Sequence, residues 1–159
     1  MMYKRFIILL ASSSIFILSS CSQDTNSPEE QIRNLVSAME AAVEQRSLDS
    51  VKELVDSEYN DEWNGSRRAA LRALMFYFQG HQSIYLLTRI SDIKLNDDAT
   101  AASVVVYVGM AGDPVEKSES LIDLKADLYR FDIMLKKDDD EWLVSSAKWE
   151  RARAESFGL

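Results

Sequence analysis

The chain is poor in the side chains that most metal and nucleophilic chemistry needs. Of its 159 residues, only Cys21 is a cysteine and only His81 is a histidine. A lone cysteine closes no disulfide within the chain and builds no cysteine zinc site, and a lone histidine makes no histidine pair. No phosphate loop, zinc motif or nucleophile elbow occurs, so no cofactor and no metal is expected. Positive charge is scarce as well: 18 Lys and Arg stand against 26 Asp and Glu. Such a surface repels phosphates, which argues against nucleic acid and anionic head groups as partners of the body of the protein. Low-complexity tracts and evident internal repeats are missing. The apolar run from Phe6 to Leu18, interrupted by Ser12, Ser13 and Ser14, falls short of the about 20 residues that a spanning helix needs.

What that run does fit is export. Lys4 and Arg5 precede it, and Gln23, Asp24 and Asn26 follow closely, the outline of a signal peptide. It ends Leu18-Ser19-Ser20-Cys21, which resembles the lipobox of bacterial lipoproteins. The resemblance implies cleavage after residue 20, lipid on Cys21, and membrane attachment through that lipid; thioether formation would leave no free thiol. Ser22, rather than aspartate, after the lipidated cysteine is similar to lipoproteins sorted to the outer membrane, facing the periplasm. Removing Lys4 and Arg5 leaves 16 basic residues against 26 acidic, a charge of −10. Acyl chains must then supply the membrane affinity, at roughly 0.8 kcal/mol per buried CH₂. The expected organisation is a signal peptide (1–20), the lipidated cysteine with a short polar tether (21–27), one folded domain (28–152) and a polar tail (153–159). The tether spans at most about 20 Å when extended.

The domain opens with helical patterning. Ser27 is placed to cap, Pro28 suits the first helical position, and Glu30 sits where a capping box wants an acid. Ile32, Leu35, Val36, Met39 and Val43 then recur at helical spacing, with Arg33, Glu40 and Glu44 outside the stripe. Ser47 can cap a shorter helix carrying Leu48, Val51, Leu54 and Val55, and after a polar break from Ser57 to Gly65 a third helix is predicted from near Ser66 to Gly80. Beyond His81 the period becomes two. Ile84, Leu86, Thr88 and Ile90 define a strand, Asn96-Asp97-Asp98 a turn, and Val104, Val106, Val108 and Met110 a second strand with Val105 and Tyr107 on its other face. A third strand starts at Ile122 and changes phase between Leu128 and Phe131, which predicts a β-bulge near Tyr129. Lys137-Asp138-Asp139-Asp140 turns the chain into a last strand from Trp142 to Trp149.

This element order, closing on Glu141-Trp142-Leu143-Val144-Ser145-Ser146-Ala147-Lys148-Trp149, resembles the nuclear transport factor 2-like (SnoaL-like) superfamily over nearly the whole mature chain. The resemblance implies an α+β cone: three amino-terminal helices packed on a strongly bent, antiparallel four-stranded sheet around a pocket. It does not choose an activity, because the superfamily spans isomerases, dehydratases, hydrolases, cyclases and non-enzymatic binding modules. Enzymes of this resemblance set an acid or base inside the pocket, which makes His81 and Asp132 the residues to test. Asp132 lies two residues from Arg130 on a strand, so an ion pair is the expected arrangement. Trp63, Tyr77, His81, Arg130, Asp132 and Trp142 are the candidate pocket residues, and core packing is the competing reading for the aromatics. Asp56, Glu58, Asn60 and Glu62 imitate a calcium loop, but no glycine stands at the sixth position and Arg67 replaces the closing glutamate. Arg67, Arg68 and Arg72 open the third helix with the unfavourable sign for its dipole and are expected to be solvated or ion-paired.

The reading these features favour is a non-enzymatic, periplasm-facing accessory module that binds a protein partner or a small apolar ligand. A cone-fold isomerase, dehydratase or hydrolase acting on a small apolar substrate is the alternative. Apolar residues on both faces of the strands also predict a homodimer through the sheet, unless the tail covers one face.

Overall fold

The structure, a computed structural model, describes residues 27–114 and 126–157. The signal peptide, Cys21 and the tether up to residue 26 lie outside the described residues, as do Ile122 and Leu124.

Each of the three helices begins where a serine oxygen takes up one of the orphan amides of the first turn. Ser27 Oγ accepts from Glu30 N at 3.2 Å ahead of α1 (Pro28–Glu44). Ser47 Oγ accepts from Ser50 N at 3.3 Å ahead of α2 (Leu48–Glu53), and Ser66 Oγ from Ala69 N at 3.4 Å ahead of α3 (Arg67–Gly80). The apolar stripe of α1 faces inward, with Ile32, Leu35 and Ala42 buried. Arg68 and Arg72 are exposed, and half-buried Arg67 donates its guanidinium to the carbonyl of Lys52, tying the start of α3 to the end of α2.

The polar stretch between α2 and α3 is a small hairpin, β1 (Asn60–Asp61) with β2 (Gly65–Ser66). Gly65 adopts φ +78°, which only glycine enters without strain and which a three-residue hairpin loop requires at this place. Asp61 builds the loop. It is 5% exposed, and its carboxylate accepts from Trp63 N (2.7 Å), Asn64 N, Asn64 Nδ2 (3.0 Å) and the Tyr59 hydroxyl (2.7 Å).

Four strands follow as an antiparallel meander: β3 (Tyr85–Leu95), β4 (Ala101–Ala111), β5 (Asp127–Asp138) and β6 (Glu141–Arg151). The β3–β4 turn is held by Asn96 Oδ1, which accepts from Thr100 N and Ala101 N at 2.9 and 3.0 Å. The β5–β6 turn places Asp139 and Asp140 at φ +44° and +70°, the two-residue geometry that matches strand twist.

The bulge expected near Tyr129 is not there. Register between β4 and β5 runs unbroken through Val108–Tyr129 and Tyr107–Arg130, with Tyr129, Phe131, Ile133 and Leu135 on one face and Leu128 on the other. The described strand begins at Asp127, and Ile122 and Leu124, on which the change of phase rests, lie outside the described residues. The irregularities lie at Ser91 in β3 and Ser145 in β6. Both keep apolar side chains inward. Strict alternation after Ile90 would send Asp92 and Lys94 into the core, whereas the extra residue at Ser91 puts Ile93 opposite Val104 and Leu95 opposite Ala102. Ser145 likewise shifts the inner face from Trp142 and Val144 to Ala147 and Trp149, and donates its hydroxyl to the carbonyl of Met134 at 3.1 Å. Bulges at these places increase the local bend and twist that curl the sheet.

The outer face of the sheet is more polar than the strand patterns suggest. One row across it reads Arg89, Tyr107, Arg130 and Glu150. A 3₁₀ turn, Ala154–Phe157, folds back so that Phe157, 4% exposed, meets the Tyr107 ring edge-on at 5.9 Å between centroids. The tail thus buries one apolar residue against this face.

Candidate ligand pocket

Helices α1 and α3 stand over the concave face of the sheet, and between them lies a cavity of about 510 Å³. Its size is that of ordinary small-molecule sites. The floor is an inner row of the sheet, Val106, Phe131 and Trp149, in register across three strands. Val36, Met39 and Val43 of α1 and Leu71, Leu74 and Tyr77 of α3 form the walls. The α3 stripe explains why the space exists: among its described residues only Phe78 is buried, because its inward residues border the cavity instead of meeting the sheet.

Polar groups in the lining are few. Glu40, half-buried on α1, accepts from the Thr88 hydroxyl of β3 through Oε2 at 2.6 Å. One helical turn on, Glu44 Oε1 accepts from the backbone amide of Leu86 at 2.8 Å, so two carboxylates of α1 fasten the edge strand. Tyr77 and His81 stack at 4.0 Å near the end of α3, and His81 Nδ1 lies 2.8 Å from the Tyr77 carbonyl. A carbonyl only accepts, so Nδ1 carries the hydrogen. Burial pushes the Tyr77 hydroxyl above its ordinary pKa, with nearby Tyr129 and Asp127 adding to the shift. Asp127 also borders the cavity and pairs with Arg151 at 3.0 Å. Deeper, the Tyr59 hydroxyl is raised by burial and by the Asp61 carboxylate to which it donates.

Of the six candidates from the sequence, only Tyr77 and His81 reach this cavity. Arg130 and Asp132 are on the outer face, where the Arg130 guanidinium lies 2.6 Å from Asp132 and 3.1 Å from Glu150. Their odd-numbered neighbours Tyr129, Phe131 and Ile133 take the inner positions. Trp142 is a core strut, 5% exposed, whose indole donates to Gln31 at 3.1 Å. Trp63 is 65% exposed and touches the cavity only through its ring contact with Trp149, 5.9 Å away. Glu40, Thr88 and Asp127 are lining residues that the sequence reading passed over. Glu40 had a readable signal, standing between Val36 and Val43 at helical spacing.

The imitation calcium loop also resolves into structure. Asp56, 1% exposed, lies 2.9 Å from Lys136 Nζ and accepts from Glu58 N at 2.7 Å. Burial alone would raise its carboxyl, but the Lys136 ammonium and the Glu58 amide outweigh that and hold it below the ordinary range. Among the described residues no group of side chains has the arrangement of a metal site.

No protein-family model and no curated protein matches the chain. Solved structures do. A calcium/calmodulin-dependent protein kinase type II association domain from Thiobacillus denitrificans, so designated, superposes with a TM-score of 0.62 at 14% identity, covering 76% of this chain and 94% of that one. A Streptomyces avermitilis protein designated a dehydratase of the nuclear transport factor 2-like family gives 0.62 at 14%, covering 79% and 96%. A Novosphingobium aromaticivorans protein designated a scytalone dehydratase gives 0.61 at 10%, covering 79% and 84%. Identities this low establish fold alone. The chain has the α+β nuclear transport factor 2-like fold, with helices on a four-stranded antiparallel sheet.

Proposed function

We propose that this chain is a lipid-anchored envelope protein whose cone binds a small apolar ligand without transforming it. The observation that carries the reading is the cavity of about 510 Å³, open and walled by apolar side chains of α1, α3 and the inner sheet. A cavity of this kind is the default binding site of a fold, whereas a purely structural core would be packed at crystal density. Binding is favoured over turnover because Asp132, the carboxylate marked by the sequence, faces away, and Asp127 of the lining is paired with Arg151. The lipid on Cys21, outer-membrane sorting and a periplasmic orientation rest on the signal and lipobox residues. The reading includes a homodimer through the outer sheet face, supported by the 49% exposure of Met134 and by half-buried Val105 and Tyr107.

The neutral fluorescent dye N-phenyl-1-naphthylamine tests the pocket. The chain from residue 22 carries every described element, and a cooperative melt verifies its fold. Fluorescence should rise and saturate near one dye per chain; a folded chain giving no rise contradicts the reading.

A further inference from the structure

We infer that the pocket selects apolar ligands bearing an ammonium head group, received by the carboxylate of Glu40. This rests on the proposed binding of a small apolar ligand. Among the described residues the cavity lining holds two carboxylates, Glu40 and Asp127, and no lysine or arginine. Asp127 is exposed and already paired with Arg151. Glu40 is half-buried among Val36, Met39 and Val43, and its one described partner is the neutral Thr88 hydroxyl, on Oε2. Among the described residues nothing donates to Oε1. A carboxylate in an apolar wall without a cationic partner attracts a cationic ligand and repels an anionic one.

The neighbouring groups point the same way. His81 commits its Nδ1 hydrogen to the Tyr77 carbonyl and so does not offer it to a ligand. Tyr77, Tyr129 and Trp149 bring aromatic faces to the lining, and such faces attract ammonium groups. The apolar body of the ligand would lie over Val106 and Phe131. Free carboxylates such as fatty acids, which suit an apolar cavity with a cationic rim, are excluded by this lining.

The test displaces N-phenyl-1-naphthylamine from the chain beginning at residue 22 with octylamine, octanol and octanoate, three eight-carbon ligands; the tail of octanoate is one CH₂ shorter, which accounts for only about fourfold. Octylamine should displace the dye at a concentration at least tenfold lower than octanoate. Glu40→Gln, which keeps an oxygen for Thr88, should abolish that ratio and leave octanol unchanged. The negative surface as a whole also favours cations, but that effect is screened at 1 M salt, where the Debye length is about 3 Å; the preference should survive there. Equal displacement by octylamine and octanoate overturns the inference, as does a Glu40→Gln chain that keeps the preference or an Asp127→Asn chain that loses it. Failure of the dye to bind the folded wild-type chain strikes instead at the binding reading beneath it.

Discussion

Two aspartates, neither in the pocket, carry much of the local order around it. Asp61 gathers two backbone amides, an Asn64 amide and the Tyr59 hydroxyl, and Tyr59 lines the deep end of the cavity. Asp61→Ala would leave the buried Tyr59 hydroxyl hydrogen without its acceptor, a loss of about 1–3 kcal/mol, and urea denaturation should show destabilisation of that size. Burial opposes ionisation of Asp61, yet the Asn64, Tyr59 and Trp63 hydrogen bonds hold its carboxyl below the ordinary value of 3.8, as Lys136 does for Asp56. Because both titrate lower folded than unfolded, the unfolded chain takes up protons first as the pH falls. Their stabilisation is complete above the ordinary carboxyl range and is lost as the pH drops through and below it. The acid limb of a stability–pH curve should therefore be shallower for Asp56→Asn with Asp61→Asn than for wild type; an unchanged slope would remove these two groups from the account.

At the scale of elements, much was legible and what was not has a cause. The three serine caps and the helix stop at Gly80 read directly from the chain because they are local, each set within one turn. The turns at Asn96 and at Asp139–Asp140 read for the same reason. Bulges are different, since they depend on what a strand faces. Ser91 and Ser145 sit where polarity and position in the sheet conflict, and only the partner strand shows which side is inside. Arg130 and Asp132 alternate with Phe131 and Ile133, and it was the likeness to cone-fold enzymes, not the strand pattern, that made them pocket candidates; pairing with β4 sets them on the outer face. Glu40 escaped notice because a glutamate beside an apolar stripe is usually solvated, and its partner Thr88 is 48 residues away. Deleting Ser91 should turn Asp92 and Lys94 inward and abolish the cooperative thermal transition, while Ser91→Ala should fold normally. A deletion variant melting like wild type would refute the role given to the bulge. Leu135→Ala, in the buried core at 3% exposure, should cost about 2–5 kcal/mol in the same denaturation assay.

On the proposed reading, the whole molecule joins a lipid anchor to a hollow fold. Labelling with palmitate should mark the wild-type chain and not Cys21→Ala, and equal labelling of both would defeat the anchor. On the outer sheet face, Phe157 covers part of Tyr107 while Met134 stays open. Sedimentation of the chain from residue 22 should show a dimer, weakened by Met134→Glu; a monomer at high micromolar concentration would end the dimer proposal. The central claim, that the cone is a ligand pocket, is tested most directly by titrating N-phenyl-1-naphthylamine into wild type and into Ala147→Phe, which grows a ring from the sheet into the cavity. Saturable binding near one dye per chain in wild type, lost in a folded Ala147→Phe, is the expected result; equal binding by both chains, or none by wild type, would contradict it.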